Sequence, residues 1–242
     1  MVLKPLRRSD VPELLDAVEP PQGQLAGNLR DIVRANRYLG GTSSLVRSLA
    51  AVVQADLPDV RTPFSVLDVG TGAGDIPRAV AGWATAAGRT VRIWAVDVSG
   101  EIVRFARQMG PCPECLGFAT ADARKLPFRP GGVDYVVASL FLHHFDHEAA
   151  VRLLREFRDC ARRAVIINDL RRARVSYATI FILTRLATIN RMTRNDAPLS
   201  VLRGFLPHEL NRLAAEAGFG NWRIVRFFPY RLALVGRPAP RS

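Results

Sequence analysis

The feature that most constrains this chain is the glycine-rich segment Asp68-Val69-Gly70-Thr71-Gly72-Ala73-Gly74. It follows an apolar, β-branched run, Ser65 to Val69, that reads as a buried strand, and precedes a helical stretch from Asp75 to Ala87. Glycines at a strand-to-helix turn carry no Cβ, so backbone amides there approach a ligand closely. The spacing is Gly-x-Gly-x-Gly. A dinucleotide-binding turn carries its third glycine one residue later, where this chain has Asp75. A carboxylate at that mouth repels a pyrophosphate, so the turn fits a cofactor without phosphate.

The rest of the chain alternates in the same way. Val91 to Val96, Leu116 to Thr120, Val133 to Ser139 and Ala164 to Asn168 read as strands. Between them, helices are expected from Gly100 to Met109, with Ser99 as cap, and from His147 to Arg162, capped by Asp146. This pattern predicts an α/β fold with a Rossmann-like, mostly parallel sheet and helices on both faces. Two runs near the end, Trp222 to Phe228 and Arg231 to Val235, are joined too closely for a helical crossover and must pair antiparallel. Upstream, Gln24 to Leu39 and Thr42 to Ala55 read as helices separated by Gly40-Gly41. Arg174 to Asn190 reads as an apolar helix, followed by a polar segment, Arg191 to Pro198. One domain is therefore expected, divided into an N-terminal helical cap (1–63), a cofactor-binding core (64–170), a substrate-lid insertion (171–206) and a terminal helix with hairpin (207–242).

Three aspartates fall at the carboxyl ends of the first three strands, beside the glycine turn: Asp68, Asp97 and Asp122. Each alone reads equally well as a helix cap or turn residue. Together they offer partners for an ammonium, a ribose diol and an adenine amino group. S-adenosylmethionine has those groups, a sulfonium and no phosphate. Val66 to Gly74, Ala95-Val96-Asp97-Val98-Ser99, Ala121-Asp122-Ala123 with Leu126-Pro127-Phe128, and Val133 to Ala138 jointly resemble the motifs of the class I S-adenosylmethionine-dependent methyltransferases. The resemblance covers roughly Phe64 to Asp169. It implies a seven-stranded sheet with the last strand antiparallel, with S-adenosylmethionine as cofactor and S-adenosylhomocysteine as product. Cofactor-binding positions implied are Asp68, Gly70, Thr71, Gly72, Gly74, Asp97, Val98, Asp122, Ala123, Ser139 and Leu140. Tyr38, with Arg37, is a candidate cover from the N-terminal helices, although an aromatic at the end of a helix is more often core.

Methyl transfer from a sulfonium needs no metal; a hydroxyl acceptor also needs its proton removed. The fourth strand ends in Leu140-Phe141-Leu142-His143-His144-Phe145, where ligands bind in open α/β sheets. Either His143 or His144 is a candidate base, and packing under the cofactor is the alternative for each. The segment lacks the Asn/Asp-Pro-Pro-aromatic motif of amino-directed nucleic-acid enzymes and the cysteine of cytosine C5 enzymes. It resembles instead the small-molecule branch that acts on quinones and phenolic polyketides. Candidate substrate contacts are Asn168 and Asp169 after the fifth strand, Tyr177 and Phe181 on the apolar helix, and Arg194 beyond it. That helix must be buried, line a pocket or dimerise, so a monomer and a homodimer both stay open.

The net charge of +12 invites a nucleic-acid partner, and an RNA or protein acceptor is the competing reading. Against it, almost all the positive charge is arginine, scattered along the chain rather than gathered in a tract; Lys4 and Lys125 are the lysines. A non-catalytic cofactor-binding scaffold is the third reading. Three cysteines argue against a disulfide framework, and Cys112-Pro-Glu-Cys115 lacks two further ligands for zinc, so no metal is expected. Met1 to Asp10 is basic without the apolar stretch of a signal peptide, and no apolar run reaches the ~18 residues of a membrane span, which predicts a cytoplasmic protein.

Overall fold

A computed structural model describes residues 6–16 and 23–240. Lys4, part of the basic N-terminal stretch, lies outside the described residues. Seven strands form one sheet: β1 (Phe64–Val69), β2 (Val91–Asp97), β3 (Leu116–Thr120), β4 (Val133–Ser139), β5 (Ala161–Leu170), β6 (Asn221–Phe227) and β7 (Arg231–Arg237). Their order is β3-β2-β1-β4-β5-β7-β6. β1 pairs in parallel with β2 and β4, and β4 with β5. β7 runs antiparallel between β5 and β6, so it alone opposes the rest. The expected sheet and terminal hairpin are both present.

Helices α1 (Leu25–Tyr38) and α2 (Gly41–Asp56) precede the sheet. α3 (Asp75–Ala86), α4 (Gly100–Gln108) and α5 (His147–Cys160) connect its parallel strands. α6 (Arg174–Ala187), α7 (Arg191–Arg203) and α8 (Pro207–Ala217) lie between β5 and β6. Ser99 caps α4 by accepting from the Ile102 amide, and Asp146 caps α5 from Ala149.

β4 shows how the core forms. Both its faces are covered, so the strand is apolar almost throughout rather than alternating. Tyr135 and Val137 join a cluster with α2, α3 and α4, while Val136 and Ala138 join another with α5 and α8. Fully burying one such side chain contributes roughly 1.5–3 kcal/mol.

The polar segment Arg191 to Pro198 is helical and opens α7. Asn190 caps it by accepting from the Thr193 amide, and the carbonyl that Pro198 cannot serve, that of Arg194, accepts from Arg185 Nη1 at 3.4 Å. Of the alternatives open for the apolar helix, α6 is not sealed in the core: Ser176 and Thr184 are its buried residues, whereas Val175, Ile182 and Leu186 are exposed.

The sheet order reverses between β1 and β4. Loops leaving those neighbouring strands diverge and open a crevice at their carboxyl ends, where α/β sheets bind ligands. The glycine turn leaves β1 there, and Leu140-Phe141 leave β4.

Candidate functional site

The crevice is a cavity of about 1300 Å³, closed over by α1, α6, α7 and the N-terminal residues 10–16. Gly70, Thr71, Gly72 and Ala73 form one wall. Gly70 has a φ of +69° and lies under the Phe141 ring, so a Cβ there would collide with that ring. Gly72 has a φ of +53°, and a Cβ on it would meet nothing within 4 Å. It lines the cavity and leaves open space beside the backbone. Gly74 does not line it: its φ of +73° starts α3, and the Phe118 ring fills the place of a side chain.

Asp68 is 2% exposed at the foot of this wall. Its Oδ2 and the hydroxyl of Thr71 are buried without hydrogen-bond partners. Burial pushes the Asp68 carboxyl up to about 8, aided by Asp75 and Asp97 and opposed by the neighbouring Thr71 hydroxyl. Asp97 lines the cavity, accepting from the Gly72 amide at 3.2 Å and the Ser99 amide at 3.1 Å. Its carboxyl is also raised by burial, although those amides pull the other way. Val98, Ser139, Leu140 and Tyr38 line the same cavity. Leu140 holds a φ of +52°, a conformation that costs of order 1–3 kcal/mol for a residue with a side chain. Its amide is held by the Asn168 carbonyl at 2.9 Å.

The structure moves Asp122 and Ala123 away from this group. Neither lines the cavity, and Asp122 is clamped by Arg124, two residues on, at 2.7 Å. The local turn satisfies the carboxylate before any ligand does.

The two histidines occupy different environments. Both line the cavity, with rings stacked at 4.3 Å between centroids. His143 is buried; its Nδ1 lies 2.6 Å from Asp169 Oδ1 and its Nε2 lies 3.3 Å from Glu13 Oε1. Burial alone would lower its basicity, but Asp169 and Glu13 outweigh it and push the imidazole up to about 10. His143 is therefore a charged, fully engaged group at neutral pH, which corrects the expectation that it could serve as a base. His144 is partly open, and its Nδ1 lies 2.7 Å from Asp16 Oδ1.

Glu13 and Asp16 come from the N-terminal strap, more than a hundred residues from the histidines, and nothing near the histidines in sequence announced them. The faint signal is two acids three residues apart within an otherwise apolar run. Tertiary bonds hold the strap. The amides of Leu14 and Leu15 donate to Asp196 on α7 at 2.9 and 3.0 Å. Arg8 donates to the carbonyls of Arg203 and Phe145. Arg203, itself buried, donates to the carbonyls of His143, His144 and Val11.

The expected substrate contacts are also revised. Asn168 is fully buried, bonded to Ser44, Gly41 and Ser139, and ties β5 to α2. Asp169 accepts from the ring and amide of His143 and from the Leu170 amide. Neither lines the cavity. Tyr177, Phe181 and Arg194 line a separate, shallower cavity of about 500 Å³ on the other side of α6. Arg194 there caps α6, donating to the carbonyls of Thr188 and Arg185. It is Ile180, Leu183, Thr184 and Ala187 that α6 turns toward the large cavity. The apolar character of the helix is evident in sequence, but not which of its faces meets the ligand.

Comparison with known proteins shows what this core is similar to. Residues 66–164 match the family profile described as a methyltransferase domain. A ubiquinone/menaquinone biosynthesis C-methyltransferase of Burkholderia vietnamiensis is 34% identical over 108 residues, 43% of this chain and 41% of that protein. The chain thus spans well under half the length of this curated relative. Among solved structures, human N-acetylserotonin methyltransferase with S-adenosylmethionine superposes with a TM-score of 0.67 at 16% identity, covering 97% of this chain and 63% of the other. A methyltransferase from Aquifex aeolicus gives 0.61 at 17% identity, covering 87% and 97%. These likenesses establish the fold. The matched segment contains the glycine turn, Asp97 and both histidines, whereas the strap, α6 and α7 lie outside it.

Three further observations bear on the remaining expectations. Cys112 and Cys115 are free thiols, and Cys160 is buried in the core. Part of the positive charge works inside the fold, since Arg89, Arg172, Arg203 and Arg231 are all buried. Among the described residues, no helix is long and apolar enough to cross a membrane.

Proposed function

We propose that the chain is an S-adenosylmethionine-dependent methyltransferase acting on a small phenolic or quinone-type acceptor, at a hydroxyl or a ring carbon. The observation that carries this reading is the buried, unpartnered Asp68 carboxylate beside the open backbone at Gly72, in one cavity with His144. A buried polar atom without a partner is costly, and a cationic ligand relieves that cost. The donor supplies an activated methyl on a sulfonium, transferred by in-line displacement to the acceptor oxygen or carbon.

The protein's part is to bind, align and take up a proton. Asp68 receives the donor's ammonium and Asp97 its ribose hydroxyls. For Asp122 to meet the adenine, Arg124 must first release it. His144 takes the acceptor's proton, and the nearby Asp16 carboxylate stabilises the imidazolium that results. His143, charged between Asp169 and Glu13, holds the strap and the β4 loop together. Ile180, Leu183 and Ala187 offer an apolar wall to an aromatic ring, which suits the quinone chemistry named for the relative.

The test is methyl transfer from labelled S-adenosylmethionine to a panel of phenols and hydroxyquinones, with bulk RNA as a parallel acceptor. We expect a small-molecule product. His144→Gln should lower kcat by about 10²–10⁴-fold while leaving S-adenosylhomocysteine affinity unchanged. Label appearing in RNA and in no small molecule would reject the acceptor class, and full activity in His144→Gln would reject the base.

A further inference from the structure

The cavity contains a second buried charge that the reading above does not use. Arg231 opens β7, is 2% exposed and lines the same cavity as Asp68. Its Nη2 donates a long hydrogen bond of 3.4 Å to Asn36 Oδ1. Its Nη1 is buried and has no partner. The guanidinium makes no ion pair among the described residues, although Asp75 and Asp169 are near enough to favour its charge. A buried arginine normally has its fork filled, because an unpaired guanidinium N–H forfeits its hydration without return.

The surroundings are built to keep the guanidinium in this position. Asn36 is itself buried; its Nδ2 donates to Asp75 Oδ2 at 3.1 Å while its Oδ1 receives Arg231. Gly41 makes room for the pair, since a Cβ there would collide with Asn36 and come within 2.9 Å of Arg231 Nη2. One cavity thus holds a carboxylate with an unfilled acceptor, Asp68 Oδ2, and a guanidinium with an unfilled donor, Arg231 Nη1. That combination complements a zwitterion.

We propose that Arg231 is a carboxylate-binding residue, and that Asp68 and Arg231 together hold the two charges of the donor's α-amino-acid end. The proposal rests on the methyl-donor reading and extends it to the last strand of the sheet, outside the matched methyltransferase domain. The carboxylate of an acidic acceptor has the same chemistry, and the experiment separates the two sources.

The experiment is calorimetric titration of the full chain with S-adenosylhomocysteine and with its decarboxylated counterpart, which keeps the adenosine, the thioether and the amine. The wild type should bind the first about 10- to 100-fold more tightly. Arg231→Met should remove that preference by weakening S-adenosylhomocysteine alone, and Arg231→Lys should restore part of it. Equal wild-type affinity for the two ligands would overturn the proposal without any variant, so a misfolded Arg231→Met would not shelter it. Equal weakening of both ligands by Arg231→Met in a folded protein would make the residue merely structural. Unchanged S-adenosylhomocysteine affinity in Arg231→Met with a raised KM for a carboxylated acceptor would move the site to the acceptor. A wild type that bound neither ligand would instead reject the methyl-donor reading.

Discussion

Replacing Asp68 with Asn tests the central assignment through two opposed effects. In the folded protein with no ligand, burial holds the Asp68 carboxyl near 8 against an ordinary 3.8. The folded state therefore binds a proton that the unfolded state releases, and stability falls as pH rises between those values. The slope is about 1.36 kcal/mol per pH unit. Asn cannot titrate, so Asp68→Asn should gain on the wild type by about 2.5 kcal/mol between roughly pH 5.5 and pH 7.5. Urea unfolding at the two pH values measures the difference directly. The same variant should bind S-adenosylhomocysteine far more weakly, since the amide carries no charge for the ammonium. Wild-type binding near neutral pH should also release a proton from Asp68, visible as a dependence of the calorimetric heat on the buffer. A stability difference flat with pH, or unimpaired ligand binding by Asp68→Asn, would refute the reasoning.

Other predictions concern neighbouring groups. Asp97→Ala should weaken S-adenosylhomocysteine by about tenfold or more, from lost hydrogen bonds to the ribose, and unchanged affinity in calorimetry would remove that role. His143→Gln should destabilise the protein by about 3–5 kcal/mol near neutral pH, because it leaves Asp169 and Glu13 buried without their cation. The imidazole is raised from 6.5 to about 10, so its contribution is full below about pH 6.5 and fades as pH rises through 10. Denaturation across that range should show wild type and variant converging in alkali; parallel curves would contradict the charge assigned to His143.

The readable part of this protein is its periodic and local part. Seven strands, their alternation with helices and the antiparallel hairpin follow from side-chain patterning and from a connection too short for a crossover. The glycine turn was legible because φ values of +69° and +53° and close backbone packing restrict the residue type at single positions. That the polar segment after α6 is helical was not legible, because Pro198 removes an amide from the helix ladder. The proline's lost hydrogen bond is offset by Arg185, which only the folded arrangement brings near.

The site divides along the same line. That both histidines face the crevice follows from their place at the end of β4. Their difference does not: His143 is sealed by Asp169 and Glu13, His144 lies partly open beside Asp16, and two of those three acids arrive on a strap distant in sequence. Asn168 and Asp169 stood where an acceptor would pass, but their hydrogen bonds are consumed by α2 and the β4 loop. Arg231 is one arginine among many in the sequence, and becomes a candidate ligand because burial leaves Nη1 without a partner. Sequence alone determined the sheet and the crevice, since periodicity and glycine geometry act within a few residues. Which charged groups are spent on the fold and which remain for a ligand was decided by tertiary structure, because burial and countercharge depend on residues far apart along the chain.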